Sequence, residues 1–140
     1  MNTQKTVFVV EDEKEFASLL KLRLEMAGHR VLMSQNGEQA YELIHDNHPD
    51  VVVLDIFLPD MDGLTILKRL KSPIDIETGG PSSTKDIPVV ILTGKAPMIE
   101  NMARVEGVSD FFVKPVELNK LVNRVSQLVE IRKHDEEPKP

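Results

Sequence analysis

The sequence predicts an α/β fold of three layers, α/β/α, in which helices cover both faces of a five-stranded parallel sheet. Short apolar runs alternate along the 140 residues with segments whose apolar residues recur at helical spacing. The runs that begin at Val7, Val51 and Val89 are apolar at consecutive positions, which is typical of strands buried on both faces. Because parallel neighbours are joined by crossover helices, this alternation favours a single parallel sheet.

The first half of the chain contains three predicted strands and three predicted helices. The strands are expected over Thr6–Val10, Arg30–Ser34 and Val51–Leu54, and the helices over Glu13–Ala27, Gln39–His45 and Leu64–Leu70. Gly28 is expected to end the first helix, since glycine tolerates the left-handed conformation found there. Asn36-Gly37 is interpreted as a turn. Helical spacing places Leu19 and Leu43 on the inward faces of the first and second helices.

The second half begins with an extended loop, Ser72–Pro88, whose Gly79-Gly80-Pro81-Ser82-Ser83 stretch is typical of loops. We interpret it as a flexible insertion whose start is pinned to the domain by Ile74 and Ile76. The remaining elements are strands over Val89–Leu92 and Phe111–Val113 and helices over Met98–Val105 and Leu118–Ile131. The charged end, 134–140, is predicted to be a flexible tail or the start of a linker, so that the domain covers 1–133.

The composition limits the classes of function. The net charge of −6 argues against direct nucleic-acid binding, and the absence of cysteine excludes disulfides and thiolate metal sites. No apolar run is long enough to span a membrane, and only four apolar residues follow MNTQKT, too few for a signal peptide. We therefore expect a soluble, cytoplasmic protein. The histidines have no ligand spacing and are predicted to lie at the surface: His29, His45, His48 and His134.

Polar residues follow each inner strand of the predicted sheet. Glu11 and Asp12 follow the first strand, and Asp55, Thr93 and Lys114 follow the others. These side chains should converge, because the carboxyl ends of parallel strands lie at one edge. Carboxylates without histidine or cysteine suit Mg²⁺ or Mn²⁺. A carboxylate can form an acyl phosphate, while lysine and threonine can hold phosphoryl oxygens. The sequence thus predicts phosphoryl transfer to Asp55.

Four pieces of the chain, VFVVEDE, VVVLDIFLPDMDG, VVILTG and FFVKP, carry a family resemblance. In order, and nearly in spacing, they resemble the response-regulator receiver domains of two-component signalling, a flavodoxin-like family, over about residues 5–132. The resemblance implies that Asp55 receives a phosphoryl group from the phosphohistidine of a histidine kinase or a histidine phosphotransfer protein. It also implies that Lys114 pairs with the phosphoryl group and that a cis peptide bond before Pro115 aims this lysine.

The resemblance further implies a metal site and a conformational switch. The implied Mg²⁺ ligands are the side chains of Asp12 and Asp55, the backbone carbonyl of Phe57 and, through water, Glu11. Thr93 would move inward to bond the phosphoryl group. Phe111, where the family often has tyrosine, would turn inward with it. The face made by the predicted helices Met98–Val105 and Leu118–Ile131 would then bind a downstream protein, a covalently linked output domain or a second copy of the chain.

Two other classes of function remain as alternatives. One is a phosphorylation-independent interaction module with the same fold; the intact set of Asp12, Asp55, Thr93 and Lys114 argues against it. The other is a phosphohydrolase with an aspartyl nucleophile. Dehalogenase-like phosphohydrolases need a second aspartate two residues after the nucleophile, where this chain has Phe57. We therefore expect a switch and not a turnover enzyme. The nearby acidic residues at positions 60 and 62 are predicted to serve turns and helix caps.

Overall fold

The structure, a computed structural model, describes residues 4–58, 60–94, 101, 104 and 106–136. Within them, one five-stranded sheet has the order β2-β1-β3-β4-β5, with parallel pairing throughout. The strands are β1 Thr6–Val10, β2 Arg30–Ser34, β3 Val51–Asp55, β4 Val89–Thr93 and β5 Asp110–Val113. This order is that of flavodoxin-like folds. The predicted α/β class is therefore confirmed.

Helices cover both faces of the sheet. In the described ranges they are α1 Lys14–Met26, α2 Gly37–Asn47, α3 Gly63–Lys71 and α4 Leu118–Glu136. The alternation of strand side chains sorts the core into two layers. Phe8 and Val10 of β1 pack with α2 and α3, while Val7 and Val9 pack with α1 and α4. The predicted helix Met98–Val105 lies largely outside the described residues.

Several predicted boundaries and helix faces differ from the structure. The Asn36-Gly37 turn is instead the start of α2, because the Asn36 side chain caps the helix by accepting the N–H of Gln39. Leu19 is 47% exposed and Leu43 is 38% exposed, so both inward predictions are wrong. The buried faces pass through other residues, listed here: Ala17, Leu20 and Leu24 in α1, and Ala40, Tyr41 and Ile44 in α2.

The end of the chain differs from the sequence-based division as well. Helix α4 continues to Glu136, beyond the predicted end at Ile131 and past the proposed domain boundary at residue 133. Proline, the residue that stops a helix most strongly, first occurs after this point at Pro138. The rest of the predicted tail, 137–140, lies outside the described residues. None of the helices that the structure describes is long and apolar enough to cross a membrane.

The Ser72–Pro88 loop is organised around a buried carboxylate at the amino edge of the sheet. Asp75 is 5% exposed; its Oδ1 accepts the N–H of Glu77 at 2.9 Å, and its Oδ2 lies 2.8 Å from Nε2 of His45 in α2. Ile74 and Ile76 are 58% and 62% exposed, so the prediction that they pin the loop is wrong. The loop is held by hydrogen bonds around the residue between them.

The second half of the same loop is attached to the end of α3. Thr84 is buried, and its hydroxyl donates to the Leu70 carbonyl at 2.9 Å. Lys71 donates from Nζ to the Ile87 carbonyl at 2.6 Å, and the Ile87 side chain is itself part of the core. Ser82 of the Gly/Ser stretch supports the first attachment, since its Oγ accepts the N–H of Thr84 at 3.1 Å.

Candidate functional site

The carboxyl edge of the sheet gathers the polar residues that follow the inner strands. Asp55 is the last residue of β3 and pairs with Leu92 of β4. Thr93 is the last residue of β4, and its carbonyl accepts the N–H of Lys114 at 2.7 Å just after β5. Glu11 follows β1 directly, and its side chain is 1% exposed. The parallel sheet thus brings residues from four strands together, as the sequence predicts.

Three carboxylates meet at this edge. Glu11, Asp12 and Asp55 each offer an oxygen atom, and these oxygens lie within 4.8 Å of one another. Glu11 and Asp55 are buried, whereas Asp12 is exposed. Like charges at this distance oppose each other and favour a nearby cation or a proton. The cluster has oxygen donors alone, the chemistry that Mg²⁺ prefers, so the residues fit a hard divalent cation.

Lys114 is the cation that the structure places among these carboxylates. Its Nζ lies 2.5 Å from Oε1 of Glu11, 3.1 Å from Oδ2 of Asp55 and 3.4 Å from Oε2 of Glu13. The ammonium also lies 5.1 Å from the centre of the Phe16 ring. Burial alone would lower the pKa of Lys114, but the hydrogen bonds to Glu11 and Asp55 outweigh burial and raise it. The lysine is therefore charged.

The site also alters the protonation of Glu11. Burial, with a further contribution from its hydrogen bond to Asp55, raises the pKa of Glu11 to about 7, against the opposing influence of Lys114. Its carboxylate is fixed in place because Oε2 accepts the N–H of Glu13 at 3.1 Å. A proton and a metal ion would compete for this cluster near neutral pH, since ligand carboxylates bind metal in their deprotonated form.

Thr93 has a hydroxyl group without a hydrogen-bond partner among the described residues. The residue is 0% exposed and its Oγ1 is buried. A buried polar atom without a partner is costly, and in native proteins it often marks a functional position. The hydroxyl can donate to an oxygen that enters the site beside Asp55.

Two phenylalanines and one cis peptide bond are the remaining site features that the family resemblance implies. Phe57 is 57% exposed, and its N–H donates to Oδ1 of Asp55 at 3.0 Å. Phe111 of β5 is half-buried and packs against the apolar layer beneath α2 and α3. The Lys114–Pro115 peptide bond is cis, as predicted.

The segment after Asp55 is shaped by close backbone packing. Asp62 caps α3, since its Oδ1 accepts the N–H of Leu64 at 2.9 Å, and the prediction of cap duty is confirmed for this residue. Gly63 lies against the end of β3, where an added Cβ would stand 2.6 Å from the carbonyl oxygen of Asp55. A side chain at position 63 would therefore force the backbone of the site apart.

The sequence analysis missed the roles of several residues. Glu13 and Phe16 contact Lys114, although only their nearness in sequence to Glu11 could have suggested it. The surface assignment is wrong for His29, which is 8% exposed with its Nε2 2.8 Å from Oγ of Ser126. His45 is only half-exposed because it pairs with the loop. These partners are distant in sequence, so no local spacing could have indicated them.

Comparison with known proteins identifies the family. A family model described as the response regulator receiver domain matches residues 7–126. The chain therefore belongs to the response-regulator receiver domains of two-component systems. Proteins of this family are signalling switches, and the predicted resemblance is confirmed.

The chain is also similar in sequence to curated regulators that are longer than it is. Response regulator MprA of Mycobacterium sp. (strain KMS) is 32% identical over 133 residues, covering 94% of this chain and 54% of MprA. The phosphate regulon transcriptional regulatory protein PhoB of Pseudomonas aeruginosa is 32% identical over 126 residues, covering 89% of this chain and 52% of PhoB. The chain thus spans about half the length of these relatives.

Solved structures agree on the fold. The receiver domain of Francisella response regulator 1452 superposes with a TM-score of 0.79 at 27% identity, covering 91% of this chain and 98% of that domain. The HemR receiver domain from Leptospira biflexa gives a TM-score of 0.74 at 27% identity, covering 98% of both chains. A CheY-like receiver domain from Methanospirillum hungatei JF-1 gives 0.80 at 19% identity over 95% of this chain and 99% of that one, a likeness of fold alone.

Proposed function

We propose that this receiver domain is a phosphorylation switch and that Asp55 is its phosphoacceptor. The observation that supports this most directly is the position of Asp55, buried at the end of β3 with the Lys114 ammonium 3.1 Å from its Oδ2. The carboxylates of Glu11 and Asp12 share the same edge of the sheet. A nucleophilic carboxylate, a fixed cation and a cation-binding cluster are the parts that phosphoryl transfer requires.

In the proposed reaction, a carboxylate oxygen of Asp55 forms a bond to phosphorus as the phosphorus–nitrogen bond of a phosphohistidine breaks. The histidine nitrogen leaves with the electron pair and regains a proton, and Asp55 becomes an acyl phosphate. Lys114 stays beside the new phosphoryl group and balances its charge. The buried hydroxyl of Thr93 gains the acceptor that the described residues do not provide.

Mg²⁺ is the proposed cofactor, and Mn²⁺ is an alternative with similar ligand chemistry. The side chains of Asp12 and Asp55 and the backbone carbonyl of Phe57 would hold it directly, and Glu11 would hold it through water. When bound, the ion neutralises charge on the transferring phosphoryl group. Asp12 is exposed, so this side of the cluster faces solvent.

The proposed output is a change in the surface that partners contact. Thr93 would move toward the phosphoryl group, and Phe111, which is half-buried, would turn inward with it. A partner that prefers the altered surface would shift the population of the two states. The proposed partners are a cytoplasmic histidine kinase or histidine phosphotransfer protein on the input side, and a downstream protein, a linked output domain or a second copy on the output side. Because the acyl phosphate is the signal, the domain acts as a switch and not as a turnover enzyme.

Intact mass after incubation with acetyl phosphate tests this proposal. The wild type should gain one phosphoryl group in the presence of Mg²⁺ and none after chelation. Asp55→Asn should gain none under either condition. If the wild type neither gains a phosphoryl group nor binds a beryllofluoride mimic, the domain is a phosphorylation-independent interaction module instead.

A further inference from the structure

The β3–α3 loop, which runs from Ile56 to Asp62, makes a contact that its local sequence does not require. Asp62 caps the helix that follows it, α3. Asp60 reaches a different helix: its Oδ1 accepts the N–H of Gly37 at 2.9 Å, and its Oδ2 accepts the N–H of Glu38 at 3.2 Å. These are the first two residues of α2. One carboxylate thus joins the loop beside Asp55 to a neighbouring helix.

The amino end of α2 is shaped to receive this carboxylate. The first N–H groups of a helix carry partial positive charge and have no partner within the helix. The bonds from Gly37 and Glu38 hold the pKa of Asp60 below its usual range, so the carboxylate is charged at neutral pH. Glycine at position 37 permits the approach, since an added Cβ would stand 3.0 Å from Cβ of Met61 and 3.4 Å from Oδ1 of Asp60.

Helix α2 does not need Asp60 in order to begin. Asn36 already supplies an N-cap, with its Oδ1 accepting the N–H of Gln39 at 3.2 Å. The bonds to Asp60 therefore do more for the loop than for the helix. Near its start, the loop is tied to the site by the N–H of Phe57, which donates to Oδ1 of Asp55 at 3.0 Å. At its end, the N–H of Gly63 donates to the carbonyl of Ile56 at 2.8 Å.

We propose that Asp60 is a positioning residue, which docks the middle of the β3–α3 loop on α2 and thereby fixes the backbone at Phe57 beside Asp55. Its consequence for metal binding rests on the function proposed above, in which the Phe57 carbonyl is a ligand. Asp60 touches neither the metal nor the phosphoryl group in this arrangement. It acts through the backbone that it holds, as outer partners do when they orient the ligands of a metal.

Three variants separate positioning from general loss of stability. Asp60→Ala should weaken Mg²⁺ binding, measured by calorimetry, by roughly tenfold, the lower end of what loss of an outer partner costs. Asp60→Asn retains an acceptor oxygen for Gly37 and should recover most of this affinity. Asn36→Ala is the matched control, because it removes a cap from the same helix without touching the loop. It should lower the melting temperature about as much as Asp60→Ala but leave the Mg²⁺ affinity at the wild-type value.

A measurement that does not depend on phosphorylation decides whether the loop is held. In amide NMR spectra without Mg²⁺, Asp60→Ala should shift the signals of Phe57 and Gly63 and speed hydrogen exchange at Gly37. Asn36→Ala should leave the Phe57 and Gly63 signals in place. Unshifted Phe57 and Gly63 signals in Asp60→Ala would overturn the proposal, as would an equal loss of Mg²⁺ affinity in Asn36→Ala. If the wild type binds no Mg²⁺, the proposed function fails, and the amide signals alone decide the role of Asp60.

Discussion

The two edges of the sheet are built on different principles. At the carboxyl edge, strands that pair directly bring Glu11, Asp55 and Lys114 into one charged cluster. At the amino edge, the Ser72–Pro88 loop is held by hydrogen bonds from Asp75 to α2 and from Thr84 to α3. At the first edge, the carboxylates of Glu11, Asp12 and Asp55 oppose one another, and Lys114 offsets part of this repulsion. At the second edge, the buried carboxylate of Asp75 accepts the N–H groups of Glu77 and Thr78 and faces the imidazole of His45.

This difference suggests that residues at the carboxyl edge serve mainly the proposed chemistry, while residues at the amino edge serve mainly the stability of the fold. Removing a group from the carboxyl edge should change ion and phosphoryl binding, since the described part of this edge holds three clustered carboxylates beside the Lys114 ammonium. Removing a group from the amino edge should cost folding free energy and leave the chemistry intact. The parallel strands separate the two edges by roughly 16 Å, given five residues at about 3.3 Å each. Variants at each edge can therefore test their independence.

The largest effect should follow from Lys114→Met, which keeps the length of the side chain but removes its charge. Breaking a fully buried ion pair costs about 3–5 kcal/mol, and we expect about 2 kcal/mol here because the Lys114 side chain is 23% exposed. Urea denaturation in Mg²⁺-free buffer measures this loss of unfolding free energy. Saturating Mg²⁺ should restore much of it, because the ion supplies the missing positive charge. An equal loss with and without Mg²⁺ would contradict the account of this edge as a cation site.

A smaller effect is expected at the amino edge from Thr84→Val, which keeps the shape of the side chain and removes its hydroxyl. The carbonyl of Leu70 loses its 2.9 Å donor, and the lost hydrogen bond should cost about 1 kcal/mol of unfolding free energy. Mg²⁺ should not restore it, and phosphoryl gain at Asp55 from acetyl phosphate should match the wild type. Ser83→Ala, at an exposed neighbouring residue, is the control. It should change neither the unfolding free energy nor the phosphoryl gain. A loss of phosphoryl gain in Thr84→Val would show that the two edges are coupled.

The carboxyl edge could be predicted from the sequence because its geometry follows from strand order alone. A residue at or just after the carboxyl end of a buried parallel strand must lie at that edge. Recognising the strands was therefore enough to predict that Asp55, Thr93 and Lys114 lie close together. The roles proposed for these residues are those implied by the resemblance of four motifs to receiver domains. The predicted sheet agrees with the structure, and so does the cis peptide bond before Pro115. All four described helices begin within two residues of their predicted starts.

The amino edge could not be predicted because its contacts are specific and non-local. Loop composition indicates that a segment lacks strand or helix, but it does not indicate which carboxylate turns inward. Hydrophobicity favoured Ile74 and Ile76 as anchors, yet the polar residue between them is the one that is buried. A buried aspartate is favoured here only because two backbone N–H groups and His45, 30 residues away, satisfy it. The contact of Asp60 at the other edge is also non-local, because the helix that it meets begins 23 residues earlier.

The smallest expected effect is a pH dependence of stability from the His45–Asp75 pair. The hydrogen bond to Asp75, with a lesser contribution from Asp46, raises the pKa of His45, and the same bond lowers the pKa of Asp75. Because the folded pKa of His45 lies above its unfolded value of about 6.5, the stabilisation is fully present below that value and is lost as pH rises through the folded pKa. Asp75 keeps its contribution throughout this range, since its folded pKa lies below 3.8 and that contribution is lost only in acid.

His45→Gln tests this sign, because glutamine can still donate a hydrogen bond to Asp75 but carries no charge. The wild type should exceed the variant in unfolding free energy by more at pH values below about 6.5 than at alkaline pH. The acidic groups near the imidazole are Asp75 and Glu77 from the loop and Asp46 from α2. Each of them raises the pKa of His45. His48→Gln, at an exposed ring 6.2 Å away, is the control. A difference that grows with rising pH would contradict the ion pair. Phosphoryl gain at Asp55 should remain unaltered in both variants, since the charge that changes lies at the edge of the sheet opposite the carboxylate cluster.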